Sequence, residues 1–80
     1  NKETDTKVEE TLYKTQQEAD TNLSAMASVL TNSSDEKLDS LIERSERIFK
    51  KAGKASSRAK SEFQKVLAQA KQRRKKRKQR

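Results

Sequence analysis

This chain of 80 residues has no cysteine, no histidine, no proline and no tryptophan, and Gly53 is its only glycine. Without cysteine there is no disulfide, and without cysteine or histidine there is no zinc site of the usual ligand set. The same two absences remove the commonest general base and the thiolate nucleophile. One glycine cannot build a phosphate-cradling loop, and no G-x-S-x-G elbow is present. The acidic residues are scattered among basic neighbours on helical surfaces, so nothing suggests a walled pocket that would perturb a carboxylate. We therefore expect no enzyme, no catalytic residue, no metal site and no cofactor. No apolar run approaches the roughly 18–20 residues that a membrane-spanning helix needs. The polar, mixed-charge N-terminus lacks the pattern of a signal peptide. Because the chain starts at Asn1, we expect a fragment or a processed product.

Large apolar groups are also scarce. Hydrophobic residues make up 29% of the chain and charged residues 40%, with Tyr13, Phe49 and Phe63 as the only aromatics. A short chain buries a small share of its surface, and this one has poor material for it. Two expectations follow: helices of the same or another chain complete the core, or the free chain is disordered under its net charge of +8. Abundant Ala, Leu, Glu, Lys, Gln and Arg, with proline absent, indicate an all-α fold.

The main organising feature is a seam from Leu38 to Ala70. Apolar residues fall at Leu38, Leu41, Ile42, Ile48, Phe49, Ala52, Ala55, Ala59, Phe63, Val66, Leu67 and Ala70. Their spacing of threes and fours places them on one face of an α-helix. We expect Leu38, Leu41, Ile42, Ile48, Phe49, Phe63, Val66 and Leu67 to dock against partner helices. The opposite arc carries Arg47, Lys51, Lys54, Arg58 and Lys65, a positive stripe or an ordinary solvated face.

Ahead of this seam runs a thinner stripe of Val8, Leu12, Ala19, Leu23, Met26 and Leu30, with Thr15 as a polar gap in it. Such a narrow seam suits a coiled-coil contact. Between the two, Thr31-Asn32-Ser33-Ser34-Asp35-Glu36 offers side chains that compete with the helical backbone, and Ser33 with Glu36 fits a capping box. These signals predict a first helix over about 5–31 and a second from about Ser34, forming a hairpin or coiled-coil-like pair completed by partner helices. The corresponding segments are an acidic helix and connector over 1–33, a docking helix over 34–70 and a basic tail over 71–80. Two alternatives stay open: one continuous helix, or a break at Gly53 that gives three.

Charge is divided along the chain. Residues 51–80 hold thirteen basic groups against Glu62 alone. The densest part is Lys71-Gln72-Arg73-Arg74-Lys75-Lys76-Arg77-Lys78-Gln79-Arg80. Like-charged blocks stay solvated until an anion arrives. The polyanion candidates are Lys71, Arg73, Arg74, Lys75, Lys76, Arg77, Lys78 and Arg80, and DNA or RNA is the first expected partner, through phosphate neutralisation and counterion release. An acidic membrane surface is the second, and an acidic protein filament the third. Ser57 and Ser61 each follow a basic residue at the third position, a spacing suited to basophilic kinases.

Three resemblances bear on function. Arg73–Lys78 resembles a monopartite nuclear localisation signal, which implies a nuclear location. The mixture of Arg and Gln in the tail is similar to arginine-rich RNA-binding segments, although no aromatics are interleaved for base stacking. The whole chain is similar in length and spacing to a SNARE motif, which implies a membrane-trafficking coiled coil at the cytoplasmic face of a membrane with an anchor beyond Arg80. Ser45 beside Arg44, where that family has a central Gln or Arg layer, departs from the pattern. The leading expectation is a nuclear interaction subunit that docks through its amphipathic helix and grips nucleic acid through its basic end.

Overall fold

A threonine that periodicity assigns to an apolar seam opens the first helix instead. The structure, a computed structural model, describes residues 11–78. Thr15 is extended, and its Oγ1 accepts the Glu18 amide at 3.0 Å. The spacing Thr-x-x-Glu is that of a helix start, because the hydroxyl satisfies a first-turn N–H that has no partner inside the helix. Helix α1 therefore spans Gln16–Asn32, and residues 11–15 are not helical. This corrects the expected start near residue 5; Val8 lies outside the described residues. Ala19, Leu23, Met26 and Leu30 are buried as their spacing predicts, whereas Leu12 is 60% exposed.

At the other end of α1, Ser33 donates both its amide (3.5 Å) and its hydroxyl (3.0 Å) to the Leu30 carbonyl. Ser33 closes the first helix rather than capping the second, so the capping-box reading of Ser33 and Glu36 is corrected. A single 3-10 turn, Asp35–Lys37, follows an extended Ser34 and leads into α2, Leu38–Lys51.

The expected continuous helix over 34–70 is broken. Residues 52–56 form a turn in which the Ala52 amide bonds to Phe49 O (3.1 Å) and the Ala55 amide to Ala52 O (3.0 Å). Helix α3 then runs over Ser57–Lys78. Of the arrangements open to the sequence, the three-helix one is observed. Gly53 lies in this turn, but not because only glycine fits: its φ is not positive, and a Cβ there would meet nothing within 4 Å. The termination comes from the groups around it. Lys50 and Lys51 sit at the negative end of α2. The Lys51 carbonyl accepts the Tyr13 amide at 3.1 Å. Ser56 caps the next helix by accepting the Ala59 amide on its Oγ at 3.1 Å.

Contacts at the two ends establish the topology. Tyr13 meets Lys51, and the Ser56 amide donates to Asp20 Oδ1 at 2.8 Å, so the starts of α1 and α3 and the end of α2 lie together. At the opposite end, Arg73 reaches the Leu30 carbonyl at 3.2 Å. The bundle is up-down-up, with α1 and α3 pointing one way and α2 the other. Its core comprises Ala19, Leu23, Met26, Leu30, Leu38, Ile42, Ala52, Ala55, Phe63, Leu67 and Ala70. Phe49 and Phe63, on either side of the turn, stack with centroids 5.7 Å apart and planes 7° from parallel. Ser45 is fully buried and returns its hydroxyl to the Leu41 carbonyl at 2.7 Å, so its burial leaves no unpaired polar group. The three helices bury much of the seam against one another, with Leu41, Ile48, Phe49, Ala59 and Val66 left partly exposed, and the described residues form an all-α bundle.

Because Gly53 needs neither positive φ nor open space, Gly53→Ala should raise stability by about 0.4–1 kcal/mol, chiefly by restricting the unfolded chain. Chemical denaturation would show it as a higher midpoint at unchanged slope; a lower midpoint would mean that the turn depends on glycine.

Candidate polyanion-binding surface

The last turns of α3 hold the cations that the sequence singles out, and the bundle sorts them into two groups. The antiparallel α2 and the turn before it place Asp35, Asp39 and Glu46 opposite the C-terminal half of α3. Arg73 Nη2 pairs with Asp35 Oδ1 at 2.7 Å. Arg77 Nη2 reaches Asp39 Oδ2 at 3.3 Å, and Arg74 Nη1 reaches Asp39 Oδ1 at 3.8 Å. Lys71 Nζ lies 3.9 Å from Glu46 Oε2. Arg77 Nη1 also donates to the Asp35 backbone carbonyl. Exposed pairs of this kind contribute a few tenths of a kcal/mol each and serve orientation more than stability.

Arg73 differs in kind. Its Nη1 donates to Leu30 O at 3.2 Å and its Nη2 to Ser33 O at 2.9 Å, besides the Asp35 pair. The end of α1 has carbonyls with no partner inside the helix, and a planar guanidinium can satisfy two of them and a carboxylate at once. Arg73 thus joins α1, the connector and α3. A residue that composition assigns to an anion contact is a structural clasp. The signal for this lay in the sequence: Asp35, Asp39 and Glu46 recur at helical spacing, as do Arg73, Arg74 and Arg77. Nothing in one chain's order, however, says which rows will meet.

The second group faces outward. Lys75 and Lys76 are outside every ion pair found among the described residues, and both are exposed. Counting 100° per residue around α3 puts Lys76 on the side opposite Phe63 and Leu67, together with Ser61, Lys65 and Gln72, all exposed. Arg58 shares that side and pairs with Glu62 at 3.3 Å, a contact with both side chains largely in water. The Lys78 side chain and Arg80 lie outside the described residues. The positive stripe expected along one rod is divided by the turn: Arg47 and Lys51 belong to α2, Arg58 and Lys65 to α3, and Lys54 in the turn donates to the Lys14 carbonyl at 3.0 Å. Ser57 and Ser61 are both exposed.

Of the residues expected to dock a partner, Leu38, Ile42 and Phe63 are at most 1% exposed, and Leu67 is 8% exposed. Leu41, Ile48, Phe49 and Val66 are partly buried and pack against the same core. Two hollows remain. One, of about 90 Å³, lies between α1 and α3 beside Arg73, lined by Leu30, Thr31, Val66, Gln69 and Ala70. The other, of about 180 Å³, lies between α1 and α2. Burial raises the Tyr13 hydroxyl above its usual pKa, assisted by the charge of Glu18 and opposed by that of Arg44. Among the described residues no cluster of acidic side chains is arranged to hold a metal, and no helix is long and apolar enough to cross a membrane.

No protein-family model matches the chain, and no curated protein or solved structure does either. The residues alone carry the functional reading.

The two groups of cations separate by substitution. Arg73→Gln should lower stability by about 1–3 kcal/mol, because the part-buried Ser33 carbonyl and the Asp35 carboxylate lose their charged donor while Leu30 O keeps only the Ser33 groups. Lys76→Gln should change it by less than about 0.5 kcal/mol, as an exposed substitution. Equal midpoints for the two variants in urea would remove the clasp role of Arg73.

Proposed function

We propose that this chain is a small helical interaction module, acting in the nucleus, that binds the phosphate backbone of DNA or RNA through the outward face of α3 and the basic residues that end the chain. The observation that carries this reading is the division of cations on α3. Intramolecular acids hold Lys71, Arg73, Arg74 and Arg77, while Lys65, Lys75 and Lys76 present charge to solvent on a rigid helix. Lys65 and Lys76 are eleven residues apart, about 16 Å along a straight helix. A rigid row of cations meets a regular row of phosphates without ordering a flexible chain first, which lowers the entropy cost of binding. Counterion release supplies the driving force, and no base-reading side chain is required. Gln72 between Lys65 and Lys76 adds a neutral donor for phosphate or sugar oxygens.

The held group has a part in this scheme as well. Asp35, Asp39 and Glu46 neutralise the α2-facing flank of α3 and leave its positive charge on the outward flank, which orients an approaching polyanion toward that face of the helix. The SNARE-like alternative has no comparable support. Its seam would have to be open to partner helices, and here Leu38, Ile42 and Phe63 are covered by the chain's own.

Binding of duplex DNA and of single-stranded RNA, followed by fluorescence anisotropy across a salt series, tests the proposal. The Lys65→Gln, Lys75→Gln, Lys76→Gln triple variant should bind more weakly at all sequences. Its log–log salt slope on duplex DNA should fall by about 0.9 for each phosphate that is no longer neutralised. Circular dichroism should show its helicity unchanged. An unaltered slope and affinity at about 150 mM salt, within the range where exposed charges still act over roughly 8 Å, would overturn the reading. So would a preference for vesicles of anionic lipid over both nucleic acids.

A further inference from the structure

The two edges that flank the hollow between α1 and α2 are built alike. From the residue that precedes α2, the sequence Lys37, Leu41, Arg44, Ile48, Lys51 repeats at intervals of four and three, and the same intervals on α1 give Asn22, Ala25 and Val29. Residues so spaced form a line along one side of a helix. The hollow itself is lined by Asn22, Ala25, Met26, Val29, Arg44 and Ile48. Its floor is apolar, Ala25 is small enough to admit a neighbouring backbone, and Val29 is 47% exposed. Val29 and Leu12 are the two large apolar residues with substantial exposure among those described, and Tyr13, next to Leu12, feels the charges of both Glu18 and Arg44. Of these two, Val29 lines the hollow.

The charges on this side are uneven. On α2 the acids Asp39 and Glu46 point away toward α3, where they pair with Arg74, Arg77 and Lys71. On the α1-facing edge of the same helix the charged groups are Arg44 and Lys51, with Lys37 seven residues before Arg44 in the preceding turn. The facing edge of α1 is neutral through Asn22, Ala25 and Val29, with Glu18 at its far end.

From this we infer that the groove between α1 and α2 is the docking site for an amphipathic helix of a partner protein, one that lays small or branched apolar residues between Val29 and Ile48 and carries acidic residues on its α2-facing flank. The stretch from Lys37 to Lys51 covers about 21 Å of helix, so a partner of roughly four turns spans it. A helix set into a two-helix groove would extend the three-helix bundle to four, with its acids within reach of Arg44 and Lys51 at heptad intervals, as flanking charges are matched in coiled coils. This surface does not overlap the outward face of α3, so both partners can be held together.

The probe is a synthetic helical peptide of about 18 residues with leucines at intervals of three and four and glutamates on one flank, titrated into the labelled full chain and followed by amide chemical shifts. Shifts should gather on Ala25, Val29, Arg44 and Ile48 and leave Lys65, Lys75 and Lys76 unmoved. A peptide with lysine in place of glutamate should bind at least ~10-fold more weakly, a step of about 1.4 kcal/mol. Arg44→Glu should reverse that preference, and Val29→Asp, at a half-exposed position that the fold tolerates, should weaken both peptides. Shifts confined to α3 would overturn the inference. So would Val29→Asp binding as tightly as the native chain. Concentration-dependent shifts at the groove without peptide would overturn it too, because the occupant would then be a second copy of the chain.

Discussion

The structure depends on a fold-back. A helix with a thin apolar stripe and a highly charged remainder gains little by standing alone, since most helical stability in proteins comes from burying a face. Here the stripe from Leu38 to Ala70 doubles over at residues 52–56, and its two halves come to cover one another, with Phe49 stacked on Phe63 across the turn. The third stripe, from Ala19 to Leu30, closes the remaining side. Each helix supplies too little apolar surface for itself and enough for the other two. The eleven buried apolar residues come from all three helices and the turn.

Everything charged then takes its place from this arrangement. Once α3 runs antiparallel to α2, the acids of the connector and α2 fall opposite the basic end of α3, and Arg73 is carried to the open end of α1. Arg73 satisfies backbone carbonyls that a helix terminus always exposes, so the end of the bundle is tied by the same residue type that composition alone assigns to an external anion. The outward face of α3 and the α1/α2 groove are what remains after those contacts are made. Both functional readings concern this residual surface: a positive face on one side and an apolar groove with a basic edge on another.

Much of this was legible in the chain. Period alone places Leu38, Ile42, Phe63 and Leu67 on a buried face, and Ala19, Leu23, Met26 and Leu30 on another. It does not say what covers them. Scarcity of apolar residues argues for outside help, but a count ignores that Ala52, Ala55 and Ala70 let helices approach closely and pack efficiently. The start of α1 was hidden because Thr15 falls on the extrapolated seam, although Thr15 and Glu18 together spell a cap. The turn at residues 52–56 was readable only as an option, since Gly53 is a weak breaker and the decisive groups, Ser56 as a cap and Tyr13 as a donor to Lys51, act through distant or local contacts that no period reports. The division of the cations was the least legible part, because it requires knowing which helix edges face each other.

The central claim is that the three helices bury the seam against one another, from which we propose that the chain folds as a monomer. Thermal unfolding of the isolated chain by circular dichroism, repeated over a hundredfold range of concentration with sedimentation equilibrium at each, tests it most directly. The account predicts a helical monomer whose cooperative transition stays at the same temperature throughout. Helicity that grows with concentration, or a transition that moves upward with it, would show that the apolar stripes need other chains and would contradict the account.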